Sequence, residues 1–208
     1  MVHRLDQALA ALADSDPRLA AALAEVGPPD PRWRPPGFAT LFELIVEQQV
    51  SVLAAKAIWK RLEAGLGEVT PATVGACTLE ELRGFGLSLP KARYGLILAG
   101  EVAAGRLDLD RLPGLDDAAA LAALTAVKGI GRWTAEVYLM FVDGRGDIWP
   151  AHDVALQAAV GRLLGLAERP SPKAMDGHAE AWRPWRSAAA LLLWRYYAAT
   201  KAAARSRG

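Results

Sequence analysis

The chain has 208 residues, enough for one domain or two closely joined lobes with a sizeable core. Its 24 Lys and Arg against 23 Asp and Glu leave a formal net charge of +1, which neither requires nor excludes a polyanionic partner, because basic residues can cluster on one face. A single cysteine, Cys77, excludes an internal disulfide framework and a four-cysteine iron–sulfur cluster held within this chain.

Alanine and leucine are abundant and no β-branched run alternates with polar residues, so an all-α fold is expected. Residues 4–13 and 17–25 are expected as short helices, split by Asp14-Ser15-Asp16-Pro17. The stretch from Gly27 to Gly37 is too rich in proline for helix and reads as an extended connector. Its Arg32, Trp33 and Arg34 are open to a ligand, although a tryptophan such as Trp33 more often anchors a connector of this kind on a core. Leu41, Leu44 and Ile45 recur at helical spacing from Phe38 to Glu47, and that helix breaks at Gln48-Gln49-Val50. Ser51 is placed to cap the next helix, 52–65, which Gly65 or Gly67 ends. Thr70-Pro71 and a capping box of Thr78 with Glu81 open two short helices. After the turn Gly84–Pro90, a helix from Pro90 runs through Ala104. At its start Lys91 and Arg93 oppose the helix dipole, so either an anion lies nearby or the two form a solvated basic patch.

Leu112-Pro113-Gly114-Leu115 turns the chain, and Asp116 or Asp117 caps a helix whose apolar face (Leu121, Leu124, Val127) runs into Lys128-Gly129-Ile130-Gly131-Arg132. A second apolar helix begins near Trp133, with Val137, Leu139, Met140 and Phe141. Two glycines around one buried isoleucine make a hairpin too tight for side chains, which glycine enters because it tolerates positive φ. The first amides of the second helix, with its dipole, suit a phosphate, and Lys128 and Arg132 are placed to meet a backbone anion. For Gly-x-Gly alone an ordinary αα turn is the plain alternative. Asp143–Asp147 breaks structure again, and Ile148-Trp149-Pro150-Ala151-His152-Asp153 leads into an apolar helix of about 154–165, with Asp153 at its N-cap position. A polar loop at 166–173 precedes a short helix to about Trp182. Pro184 then opens the last helix, through about Ala199, and 202–208 is expected to fray. No N-terminal signal pattern and no long uncharged apolar run is evident, so a soluble cytoplasmic protein without a membrane partner is expected.

The twelve residues Leu124–Ala135 resemble the helix-hairpin-helix motif of DNA-binding proteins. With Trp149-Pro150-Ala151-His152-Asp153 some twenty residues on, the chain is similar to the helix-hairpin-helix DNA glycosylases, and most to the AlkA-type 3-methyladenine DNA glycosylases II. Val46–Ser51 resembles that family's helix-end loop that enters the DNA, and Leu87–Arg93 its following segment. Trp182-Arg183-Pro184-Trp185-Arg186-Ser187, with Leu192-Leu193-Trp194, resembles its C-terminal helix; the likeness covers about residues 35–200. The chain departs from the best-known AlkA enzyme at Gln49, where that enzyme has a wedging leucine. It departs also at Val137, where that enzyme has a pocket tyrosine (Tyr138 lies one position on), and at His152, where the family often has a second acidic residue. That enzyme's N-terminal β-domain has no expected counterpart before residue 36.

The resemblance implies a two-lobed all-α fold with the active-site cleft between the lobes. Residues 36–145 would form one lobe, carrying the hairpin at about 116–142, and 1–35 with 146–208 the other. It implies a monofunctional glycosylase that flips alkylated purines of the 3-methyladenine and 7-methylguanine class out of duplex DNA and hydrolyses the N-glycosidic bond, leaving an abasic site. Asp153 is the expected catalytic carboxylate, with Trp194, Trp133 and Tyr138 at the base pocket. Lys128, Gly129, Gly131, Arg132 and Thr134 are expected on the DNA backbone, and Gln48 and Gln49 in the vacated stack. The lysine of the bifunctional glycosylase/lyases falls at Trp133, so no lyase activity is expected. No cofactor and no side-chain metal site is implied, while the hairpin carbonyls are open to a monovalent cation, as in related hairpins; a monomer suits DNA wrapped over one face. Three readings compete: a non-catalytic helix-hairpin-helix DNA-binding module, a glycosylase of the same superfamily for neutral oxidised or deaminated bases, and a purely structural helical scaffold.

Overall fold

A computed structural model describes residues 2–205, and side chains for residues 4–202. Among the described residues the chain is helical with no strand. It falls into two compact units, Met1–Trp33 with Gly144–Gly208, and Arg34–Asp143.

Asp16 separates the first two helices, α1 (Val2–Ser15) and α2 (Pro17–Val26). Its carboxylate accepts the Arg18 amide at 3.0 Å, and Pro17 stands at the first helical position, where its missing N–H costs nothing. The same carboxylate accepts the Arg18 guanidinium at 2.8 Å and the buried indole N–H of Trp182 at 3.0 Å. The Arg18 guanidinium, against the opposing effect of burial and with help from Trp182, holds the Asp16 carboxyl at about 2. Residues 28–36 form no regular structure, as the prolines require.

The Arg34–Asp143 unit contains α3 (Phe38–Glu47), α4 (Val52–Leu66), α5 (Pro71–Gly75), α6 (Leu79–Gly84), α7 (Leu89–Ala103), α8 (Asp117–Thr125) and α9 (Arg132–Phe141). Ser51 caps α4, Thr78 and Glu81 form their capping box on α6, and Asp116 rather than Asp117 caps α8. Helix α3 buries Phe38, Leu41, Phe42, Leu44, Ile45 and Val46, so it is apolar around most of its girth; α4, α7 and α9 pack on it. Every residue of α9 from Thr134 to Phe141 is buried. The hairpin that α9 belongs to is therefore held from behind by a full core.

The other unit joins α1 and α2 to α10 (Val154–Leu163), α11 (Pro172–Ala179) and α12 (Arg186–Arg205). Trp149 and Trp182 meet edge to face, 5.4 Å between centroids, at the centre of this unit. The last helix starts at Arg186, not at Pro184. Three anchors set that start: the Ser187 amide donates to Gly146 O at 3.0 Å, its hydroxyl accepts the Ile148 amide at 3.0 Å, and Arg186 pairs with Asp147 at 2.7 Å. The helix also continues to Arg205, beyond the expected end near Ala199, because Ala198 to Ala204 is rich in the best helix former. Of the tail expected to fray, residues 206–208 lie outside the described residues.

Candidate active site

The hairpin between α8 and α9 needs one of its two glycines for space. Gly129 has φ +103°, and a Cβ there would lie 2.3 Å from Cγ of Tyr94. Gly131 has an ordinary extended backbone (φ −79°, ψ 167°) and open space where a Cβ would go. The expectation that both glycines serve the turn is corrected: Gly131 leaves the α9 N-terminus uncovered, while Gly129 lets the backbone close on Tyr94. Ile130 is buried between them. Lys128 is exposed, and Arg132 is exposed with its Nε donating to buried Glu136 at 2.8 Å.

Two of the residues expected to meet DNA turn inward. Thr134 is buried, and its hydroxyl accepts Gln48 Nε2 at 2.9 Å; the same amide donates to Gly129 O at 3.1 Å. Gln48 is thus a tie between the loop after α3 and the hairpin, not a wedge. Its neighbour Gln49 is exposed, with φ +54° in the left-handed region that few non-glycine residues occupy. A third residue fixes this loop. Lys91 is buried, and its ammonium donates to Val46 O at 2.8 Å and Gln48 O at 2.5 Å, capping the C-terminal end of α3. Burial pushes its pKa below the usual lysine range. Lys91 therefore marks neither an anion site nor a solvated patch; Arg93 alone stays exposed. The signal in the sequence was the misfit itself, a cation at a helix start where the dipole disfavours it.

Tyr138 is likewise a core residue. Its ring is buried and its hydroxyl accepts the Gly37 amide at 3.1 Å, so it offers no face to a base. Trp133, second in α9, is half-buried.

In the other unit the turn Trp149–Asp153 is pinned on both sides. The Trp149 indole donates to Met175 O at 3.2 Å, Gln157 Nε2 donates to Ala151 O at 2.7 Å, and the Asp153 amide donates to Pro150 O at 2.9 Å. Asp153 caps α10, its Oδ1 accepting the Leu156 amide at 2.7 Å. The same oxygen accepts the Trp194 indole N–H at 2.9 Å. Two N–H donors on one oxygen fix the plane of the carboxylate, and join a carboxylate to an aromatic ring as one rigid pair. Over that ring lies the guanidinium of Arg32, its Cζ 5.9 Å from the centroid. Trp33 beside it is exposed and anchors no core, while Arg34 pairs with Glu47 at 2.8 Å and Glu43 at 3.4 Å on α3. His152 is exposed.

A model of the HhH-GPD superfamily base excision DNA repair proteins matches residues 42–184, from α3 to the turn before α12. The chain belongs to the HhH-GPD superfamily. The match takes in the hairpin, the Gln48–Gln49 loop with its Lys91 cap, and Asp153. The chain is 31% identical over 163 residues to the YfjP protein of Bacillus subtilis, covering 74% of this chain and 57% of that one. It is 32% identical over 191 residues to DNA-3-methyladenine glycosylase 2 of Escherichia coli, covering 83% of this chain and 64% of the relative. It thus spans under two thirds of the length of these relatives. Among solved structures it is similar to the Schizosaccharomyces pombe 3-methyladenine DNA glycosylase Mag1 in complex with abasic DNA, with a TM-score of 0.84 at 27% identity over 91% of this chain and 95% of that one. For an HhH-GPD protein, the additions that geometry makes to the sequence reading are Lys91, Arg32 and the bond that ties Trp194 to Asp153.

Proposed function

We propose that this chain is a DNA glycosylase that hydrolyses the N-glycosidic bond of alkylated purines in duplex DNA. The observation that carries the reading is the Asp153–Trp194 pair: a carboxylate fixed at a helix start and bonded to the edge of an indole. The names of the relatives, 3-methyladenine glycosylases of Escherichia coli and Schizosaccharomyces pombe, support the same substrate class.

The roles follow from the groups. The amides at the start of α9, beside Lys128, Gly129, Gly131 and Arg132, hold backbone phosphates without reading sequence. Rotating a nucleotide out of the stack costs a few kcal/mol. Gln49, exposed and strained, is the residue left to fill the gap once Gln48 is assigned to the hairpin. Trp194 offers its ring to the extruded base, and a methylated purine cation gains about 0.5–2 kcal/mol there over a neutral base. Trp133 is a further aromatic surface for the substrate.

A cationic base leaves with the electron pair of the broken C–N bond and becomes neutral, so no general acid is needed. Positive charge passes to the sugar, where the Asp153 carboxylate stabilises it. The same carboxylate takes a proton from the water that adds to the sugar carbon. The chain has Trp133 where a lyase lysine would stand, so the product is an intact abasic site. A monovalent cation at the hairpin backbone carbonyls belongs to the same proposal as a support for the hairpin; no step of the hydrolysis passes through it. Among the described residues no cluster of His, Cys, Asp and Glu could hold a metal ion.

The test is to incubate methylated duplex DNA with the protein and then heat it in alkali. Strand breaks that appear only after the alkali treatment are the expected result. Breaks before it would mean lyase activity, and none at all would leave a non-catalytic DNA-binding module.

A further inference from the structure

The connector that follows α2 carries a residue that this reading does not use. Among the described residues only Arg32 and Gln49 are non-glycine residues with positive φ, and Arg32 stands at +55° between Pro31 and Trp33. Such a backbone costs energy and persists where the surroundings hold it, often at a functional site. The Arg32 side chain is exposed, whereas Trp194 is only 9% exposed. The exposed guanidinium lies over one face of that ring, its Cζ 5.9 Å from the centroid. On the glycosylase reading, a base that stacks on that face has to displace Arg32. The opposite demands on the ring are met along its edge, where the indole N–H is committed to Asp153.

A guanidinium is flat, delocalised and permanently charged. A 7-methylguanine still attached to its sugar is also a flat cation. Resting on the glycosylase reading above, we infer that Arg32 is a stand-in for the cationic base on Trp194, and so sets the specificity of the site. Arg32 leaves the ring before a base stacks there. A cationic base then meets both competition for the face and repulsion from the displaced guanidinium. A neutral base meets the competition alone, and its carbonyl oxygen can accept from the guanidinium N–H groups. The residue narrows the advantage that a bare tryptophan gives to charged lesions and widens the range of bases released.

The experiment compares single-turnover release of 7-methylguanine and hypoxanthine, one charged and one neutral, from otherwise identical duplexes. Arg32→Ala and Arg32→Gln should raise the ratio of the two rates in favour of 7-methylguanine by about tenfold, equivalent to ~1.4 kcal/mol. Arg32→Lys keeps the charge but not the flat stacking fork, so its ratio should lie between that of Arg32→Gln and that of the unaltered protein. Circular dichroism and affinity for undamaged duplex report that each variant still folds and binds DNA. A ratio unchanged in Arg32→Ala and Arg32→Gln, or a parallel fall of both rates, would overturn the inference while the glycosylase reading stood. Release of neither base by the unaltered protein would overturn both.

Discussion

Asp153 caps α10, and the proposed function gives it a chemical task as well; a single substitution separates the two. Asparagine caps a helix as well as aspartate does. Asp153→Asn should therefore leave the melting temperature nearly unchanged, whereas Asp153→Ala should lower stability by about 1 kcal/mol in chemical denaturation. If both variants were equally destabilised, the cap at Leu156 would not be the bond that matters. Asp16 allows a separate check, by pH. Its folded pKa, about 2, lies below its ordinary 3.8, so its contribution is complete above that range and is lost as pH falls through the folded value. The contribution amounts to about 2 kcal/mol. Asp16→Asn should unfold at lower urea than the unaltered chain at neutral pH, and the gap should close as the medium is acidified toward pH 2. A gap independent of pH would contradict the assignment. At this scale the caps were legible because short polar side chains before apolar runs have a local cause. The bond from Trp194 to Asp153 was not, since it joins residues 41 apart in the chain and no local pattern encodes it.

Helix ends are where sequence and structure diverge most. Lys91 was readable as out of place but not as the cap of α3, because its acceptors, Val46 O and Gln48 O, lie more than forty residues earlier. Lys91→Met keeps the bulk and removes the donor. It leaves two carbonyls without that partner and should cost about 1–3 kcal/mol, with DNA binding weakened as the Gln49 loop loosens. Retained stability would show that water replaces the ammonium. The hairpin's two glycines separate in the same way. Gly129→Ala meets both the positive φ and the Tyr94 ring, so the fold itself should suffer. Gly131→Val meets neither. It should fold normally and bind all duplex DNA more weakly, with a shallower dependence of log affinity on log salt. The Gly-x-Gly spacing showed the turn but could not tell which glycine is needed for packing and which borders open space.

Across the whole molecule, the all-helical class and most helix boundaries were legible because periodicity and caps agree along the chain. Membership in the HhH-GPD superfamily rests on residues spread from 42 to 184, and so on both units. Inward-turned polar residues were the part that could not be read. Gln48, Thr134 and Tyr138 have side chains as suited to a ligand as to a neighbour, and only packing decides between the two. Under the proposed function, the strand-holding groups lie in the Arg34–Asp143 unit and the carboxylate–indole pair in the other. Binding and chemistry should then fail independently. The measurement that tests this most directly is single-turnover release of 7-methylguanine by Asp153→Asn, alongside its affinity for the same duplex. Release slowed by about 10²–10⁴-fold at undiminished affinity is the predicted result. Release at the unaltered rate would contradict the assignment of Asp153 as the group that acts on the sugar.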